Sequence, residues 1–270
     1  MSNSSLVDYI KISPNKTSPR NHIIDTITIH CVVGQLSVET IGNIFASPSA
    51  QASSNYGIGF DGRIGMYVEE KDRSFCTGGV DKNGNAIRVN GISGKDNDHR
   101  AITIEVACDP YHPYTVNDKA YKALVELCVD ICERNNIKEL KWQGDKSLVG
   151  WVDKQNMTVH RWFANKACPG DYLYNLHSQI AQEVNSKLKK NEEGLTMTQY
   201  EELKEEIESL KDKQEKIYHY TVDIPEYARP TIQKLLDKGI FKGASASDLN
   251  LPESMMRVFV IMDRAGLFEC

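Results

Sequence analysis

The chain is 270 residues long and 40% hydrophobic, with a formal charge of −5 and a pI near 5.8. That length holds one full-sized domain plus a small one, and the mild acidity argues against the basic surface of a nucleic-acid-binding domain. Seven cysteines, an odd number at irregular spacing, do not read as a disulfide framework and fit synthesis in a reducing compartment. Residues 1–22 are polar, with no apolar core behind a basic start, so no secretory signal peptide is expected. No run of about eighteen apolar residues occurs, which excludes a helical membrane span.

Residues 22–33, HIIDTITIHCVV, are β-branched and nearly continuous in apolar character, as in a strand covered on both faces. Ser37 then caps a short helix over residues 38–45, with Glu39 next to its positive dipole end. Residues 55–60 and 63–68 flank Asp61-Gly62, the strongest hairpin signal in the chain. Residues 78–98, rich in Gly, Asn and Asp, read as an irregular loop of the kind that borders a substrate groove. Residues 101–106 are another strand, with Glu105 inside its apolar run. A buried carboxylate is costly without a partner, so Glu105 needs either a salt bridge, for instance to Arg100, or a functional reason. Asn117 opens a helix that runs to Asn135, and Cys128 and Cys132 on its apolar face read as core. A further amphipathic helix covers residues 171–188. Strands alternating with helices on both sides predict a three-layer α/β domain with a mixed sheet.

Between these helices lies the densest chemistry, Thr158-Val-His160-Arg-Trp-Phe-Ala-Asn-Lys166-Ala-Cys168-Pro-Gly170. Imidazole and thiolate are ordinary zinc ligands, and a catalytic zinc takes three protein ligands. His30, at the end of its strand, is the best third. Taken singly, a histidine at a strand end or a lone cysteine is more often structural; the combination points to a metal.

The His160 to Cys168 run resembles the second half of the zinc motif of the N-acetylmuramoyl-L-alanine amidases, a family that includes the peptidoglycan recognition proteins and several phage lysins. The resemblance covers residues 24–188. It implies Zn2+ on His30, His160 and Cys168, Glu105 as general base, Lys166 facing the oxyanion, and Tyr56 pointing at the reacting water. Relatives often carry His where this chain has Asn55, and Trp near Phe75. The activity implied is cleavage of the amide between N-acetylmuramic acid and L-alanine by a phage-type endolysin. Such an enzyme is made in the bacterial cytoplasm and acts on peptidoglycan at the wall. The alternatives are a non-catalytic peptidoglycan-binding protein and a cytosolic muropeptide-recycling amidase.

The catalytic domain is expected over residues 1–188, followed by a charged linker over 189–199. Tyr200, Leu203, Ile207, Leu210, Gln214 and Ile217 then follow a heptad pattern, a short helix over 200–219 through which the chain could self-associate. Residues 220–270 read as a small all-α module of two helices, one ended by Gly239 and one opened after Leu251-Pro252. Their pattern resembles one S-layer homology repeat, which implies binding to wall polymers. Glu192-Glu193-Gly194 must be encoded by purine-rich codons that match a bacterial ribosome-binding site just upstream of Met197. An internally initiated fragment, residues 197–270, is therefore expected to pair with the full chain.

Overall fold

The computed structural model describes residues 2–192, 201, 204–205, 207, 215–245 and 248–268. Most of the heptad positions, and Met197, lie outside them. The chain divides into two compact units, Met1–Gly194 and Leu195–Cys270. Among the described residues, no helix is long and apolar enough to cross a membrane.

A six-stranded sheet forms the centre of the first unit, in the order β1-β5-β4-β9-β3-β10. Its strands are β1 (Tyr9–Ile10), β3 (Thr26–Val33), β4 (Tyr56–Ile58), β5 (Ile64–Met66), β9 (Ala101–Cys108) and β10 (Met157–Thr158). Within this sheet only β4 and β5 pair antiparallel, as the Asp61-Gly62 hairpin requires; Gly62 sits at φ 88°, open to glycine. The long pair is β3 with β9, parallel, with Ile27 opposite Ile102 and His30 opposite Glu105.

Because side chains alternate across a strand, this register sorts the two faces. Ile27, Ile29, Ile102, Ile104 and Val106 point to one face, where they pack on Leu124, Val125, Cys128 and Ile131 of α3 (Asp118–Arg134) and Leu173, Ile180 and Val184 of α4 (Gly170–Glu192). Asn117 caps α3 by accepting from Ala120 N at 2.9 Å, and Asn135 closes it. Cys128 and Cys132 are fully buried in this core. Thr26, Thr28 and His30 share the other face with Thr103 and Glu105. It is covered by α1 (Val38–Ala46), capped by Ser37, and α2 (Gly94–Arg100). The strand is thus buried on both faces but not apolar on both.

This second face is closed by hydrogen bonds. Thr28 Oγ1 and Thr158 Oγ1 lie 2.7 Å apart, and Asn97 bonds to both at 3.0 Å. Ser54, Asn55 and Ser74 converge on Thr103. Residues 78–98 are more ordered than their composition suggests. They hold a small ladder, β7 (Arg88–Val89) with β8 (Ile92–Ser93), and α2 itself. The helix starts because Ser93 and Asp96 form a reciprocal capping box. A further short ladder joins β2 (Lys16–Thr17) to β6 (Arg73–Ser74).

The second unit contains α5 (Arg229–Asp237) and α6 (Glu253–Arg264), packed through Ile232, Leu235, Met256 and Val260. Gly239, at φ 67°, ends α5. Beside its helices the unit has one two-residue ladder, β11 (Ile217–Tyr218) antiparallel with β12 (Leu251–Pro252), which adds Tyr218 and Leu251 to the same core.

Candidate metal centre and active site

The C-terminal ends of β3 and β10 carry the site. His30 is the last fully buried residue of β3, and β10 leads directly into a short turn that starts at His160. The chain from His160 to Cys168 then doubles back. Arg161 N–H donates to Cys168 O at 3.0 Å, and the Arg161 guanidinium reaches Ala167 O at 2.7 Å and Asp171 at 3.1 Å. These contacts bring His160 and Cys168 together, although eight residues separate them in sequence.

The donor atoms of His30, His160 and Cys168 all lie within 4.8 Å of one another. His30 Nδ1 is 3.4 Å from Cys168 Sγ, and the two rings meet edge to face at 5.2 Å. His30 Nε2 faces Thr77 Oγ1 at 3.4 Å, and His160 Nε2 faces Gly78 O, an acceptor only, at 3.4 Å. Because Gly78 O can only accept, its contact favours the proton on His160 Nε2 and leaves Nδ1 to accept a ligand, while His30 turns Nδ1 toward Cys168. Burial holds both imidazoles below their ordinary pKa, helped at His30 by His160 and at His160 by the Lys166 charge. Two neutral imidazoles and a thiol, poised without a strong mutual bond, fit a zinc ion.

Glu105 lies beside them on β9. Its Oε1 accepts from Cys76 Sγ at 3.7 Å, and its Oε2 is buried with no hydrogen-bond partner among the described residues. The salt bridge to Arg100 does not form, because Arg100 pairs with Asp25 at 2.7 Å. Burial pushes the Glu105 carboxyl up to about 7, against the smaller opposing effect of the Cys76 bond. A carboxyl in that range exchanges protons near neutral pH. Lys166 is exposed at the tip of the turn.

Tyr56 is not where a residue facing the reacting water would be. It pairs with Ile104 rather than Glu105, and so points to the α3 face of the sheet. There its hydroxyl donates to Glu70 Oε1 at 2.7 Å and accepts from Ser4 N at 3.0 Å, while Arg134 holds the same Glu70 oxygen at 2.7 Å. A one-residue change of register moves a side chain to the opposite face. Tyr56→Phe is therefore expected to leave kcat within about twofold of wild type while costing about 1–3 kcal/mol of stability, for the buried partners it orphans. Steady-state kinetics and denaturant melts check this; a large fall in kcat at unchanged stability would return Tyr56 to the site. Asn55 is buried and bonds to Thr103 and Val68, a structural role.

Three residues around the site carry no sequence signal. Asp98, on α2, accepts from the backbone N–H groups of Cys76 and Thr77, and burial lifts its carboxyl to about 6. Cys76 and Thr77 in turn touch Glu105 and His30. Nothing local marks them, since their partners lie 20 to 50 residues away in the chain.

The family described as N-acetylmuramoyl-L-alanine amidase matches residues 19–171. Similar solved structures include a selenomethionine derivative of AmpD (18% identity, 66% of this chain and 96% of that one, TM-score 0.45). The catalytic domain of XlyA is also similar (16%, 66% and 99%, 0.43), as is the N-acetylmuramoyl-L-alanine amidase LysC from Clostridium intestinale (15%, 67% and 97%, 0.41). No curated protein sequence matches. With the family spanning more than half of its length and enclosing His30, Glu105, His160 and Cys168, the chain belongs to the N-acetylmuramoyl-L-alanine amidases.

Proposed function

We propose that the protein is a zinc-dependent endolysin that hydrolyses the amide between the lactyl group of N-acetylmuramic acid and L-alanine. The observation that carries the reading is the convergence of three soft donors within 4.8 Å, next to a buried carboxylate with one oxygen unpartnered among the described residues. His30, His160 and Cys168 would hold the zinc. When bound, the ion supplies Lewis acidity at the scissile carbonyl and makes hydroxide accessible near neutral pH.

The remaining steps belong to the chain's own residues. The Glu105 carboxylate takes the proton of the attacking water and returns it to the alanine nitrogen as the C–N bond breaks. Lys166, whose charge already reaches His160, offsets the negative charge that develops on the carbonyl oxygen. The buried sheet face beneath the site keeps Glu105 out of bulk water, so that its proton affinity suits both halves of the transfer. Digestion of purified Gram-positive walls tests the reading. New alanine amino termini without new reducing sugars are expected; their absence, with wall binding intact, would select a non-catalytic binder.

Residues 1–188 would form the catalytic domain, 189–199 the linker, into which α4 extends as far as Glu192, 200–219 a helix for self-association, and 220–270 a module for wall polymers. The division into two compact units and the separate core of Tyr218, Ile232, Leu235, Met256 and Val260 support this arrangement. Truncation after Lys190 is expected to leave a folded amidase that cuts soluble muropeptides as before. It should clear intact cells poorly, because wall binding raises effective concentration without altering chemistry. Turbidity assays at low dose decide it, and equal clearing by the truncated enzyme would assign residues 191–270 another task.

A further inference from the structure

The segment that follows β6 passes along the polar face of the sheet toward the ends of β3 and β9. Asp98 Oδ2 holds it by two successive amides, Cys76 N–H at 2.9 Å and Thr77 N–H at 3.0 Å. Because one buried carboxylate oxygen fixes both backbones, neither residue can turn without breaking a charge-assisted hydrogen bond. The side chains so aimed serve two different groups: Thr77 Oγ1 lies 3.4 Å from His30 Nε2, and Cys76 Sγ lies 3.7 Å from Glu105 Oε1.

The consequence for Glu105 is an asymmetry between its oxygens. A carboxylate on a three-torsion side chain turns about its last bond over a broad range. Here one oxygen is tethered by a thiol, and the other is buried with no hydrogen-bond partner among the described residues. The donor atoms of Cys76, Glu105 and His30 all lie within 4.8 Å of one another, so the tether acts within the site.

We propose that Cys76 is a positioning residue for hydrolysis: its thiol, set by the Asp98 clamp, holds Glu105 Oε1 and so fixes the orientation of the carboxylate beside His30. The proposal rests on the reading of Glu105 as the base. Without the tether, Glu105 spends part of its time in unproductive rotamers, which lowers turnover and leaves substrate binding alone.

Full-length Cys76→Ala, Cys76→Ser, Glu105→Gln and the Cys76→Ala/Glu105→Gln double variant test it together, with zinc content and melting temperature measured on each. In Cys76→Ala, kcat should fall about tenfold, as expected for one lost hydrogen bond, with KM, zinc and melting temperature unchanged. Cys76→Ser, which keeps a donor, should recover kcat to within about threefold of wild type. The double variant should be no slower than Glu105→Gln, since the thiol acts only through that carboxylate. Wild-type kcat in Cys76→Ala, a loss that serine does not restore, or a loss that tracks zinc or melting would each overturn the positioning role while leaving the base intact. Full activity in Glu105→Gln would instead remove the base assignment, and this proposal with it.

Discussion

Replacing His160 or Cys168 by alanine is expected to give a folded protein that is nearly zinc-free and without measurable amidase activity. The expectation follows from the small number of donors. Three protein ligands already leave a coordination position open, and losing one leaves two, too few for a stable site. Folding should survive, because the main core is made by β3, β9, α3 and α4, and neither residue belongs to it. The turn between them is closed independently by Arg161 through Cys168 O, Ala167 O and Asp171. In the wild type, acid and chelators should act in the same direction, because imidazole and thiol must lose protons to bind metal. Metal analysis alongside release of alanine amino termini measures both quantities on one sample. Full activity in a verified metal-free preparation would end the zinc mechanism.

Glu105→Gln should separate chemistry from binding. The change preserves shape and keeps an oxygen for Cys76, but removes the proton acceptor, so turnover is expected to drop on the order of 10² to 10⁴-fold. Zinc content and wall binding should stay at wild-type levels; loss of zinc in parallel with activity would make Glu105 a ligand instead.

A second readout concerns stability in the metal-free protein. Burial raises the Glu105 carboxyl from 4.5 to about 7, so the fold favours its protonated form. A raised folded value means that this contribution is present below about pH 4.5 and is lost as pH climbs through about 7. Metal-free wild type should therefore lose stability over that window relative to Glu105→Gln, which has nothing to ionise there. Parallel melts at pH 4.5 and pH 8 measure the difference. A bound cation favours the carboxylate and should reduce the gap.

Much of the scaffold was legible because its signals are local. Ser37 and Asn117 cap the helices their positions suggest, and Asp61-Gly62 turns the hairpin. The β-branched run around His30 becomes β3, one of the two long strands of the sheet. Glu105 stood out because a charge inside an apolar strand needs a reason, and the structure removes the Arg100 explanation by pairing that residue with Asp25. Residues 78–98 depart from the irregular loop their composition implies, because glycine and asparagine content masks the Ser93–Asp96 capping box that starts α2. The two-residue ladder of β11 and β12 was equally hidden, because strands so short have no period to detect.

The proximity of His160, Lys166 and Cys168 in one short segment, the buried strand that carries His30, and a smaller unit after the larger one are all written in the sequence. Each of these depends on residues within a dozen positions of one another, the range over which propensity, capping and periodicity act. The face on which each side chain lies was decided only by the tertiary structure. Parallel pairing sets His30 opposite Glu105 and Tyr56 opposite Ile104, so Glu105 lies beside the candidate site and Tyr56 is committed to Glu70 on the other face. Strand register arises from long-range pairing and from which face can be sealed, by α3 and α4 on one side and by the Asn97, Asp98 and threonine network on the other. A reading limited to neighbours along the chain has no access to either.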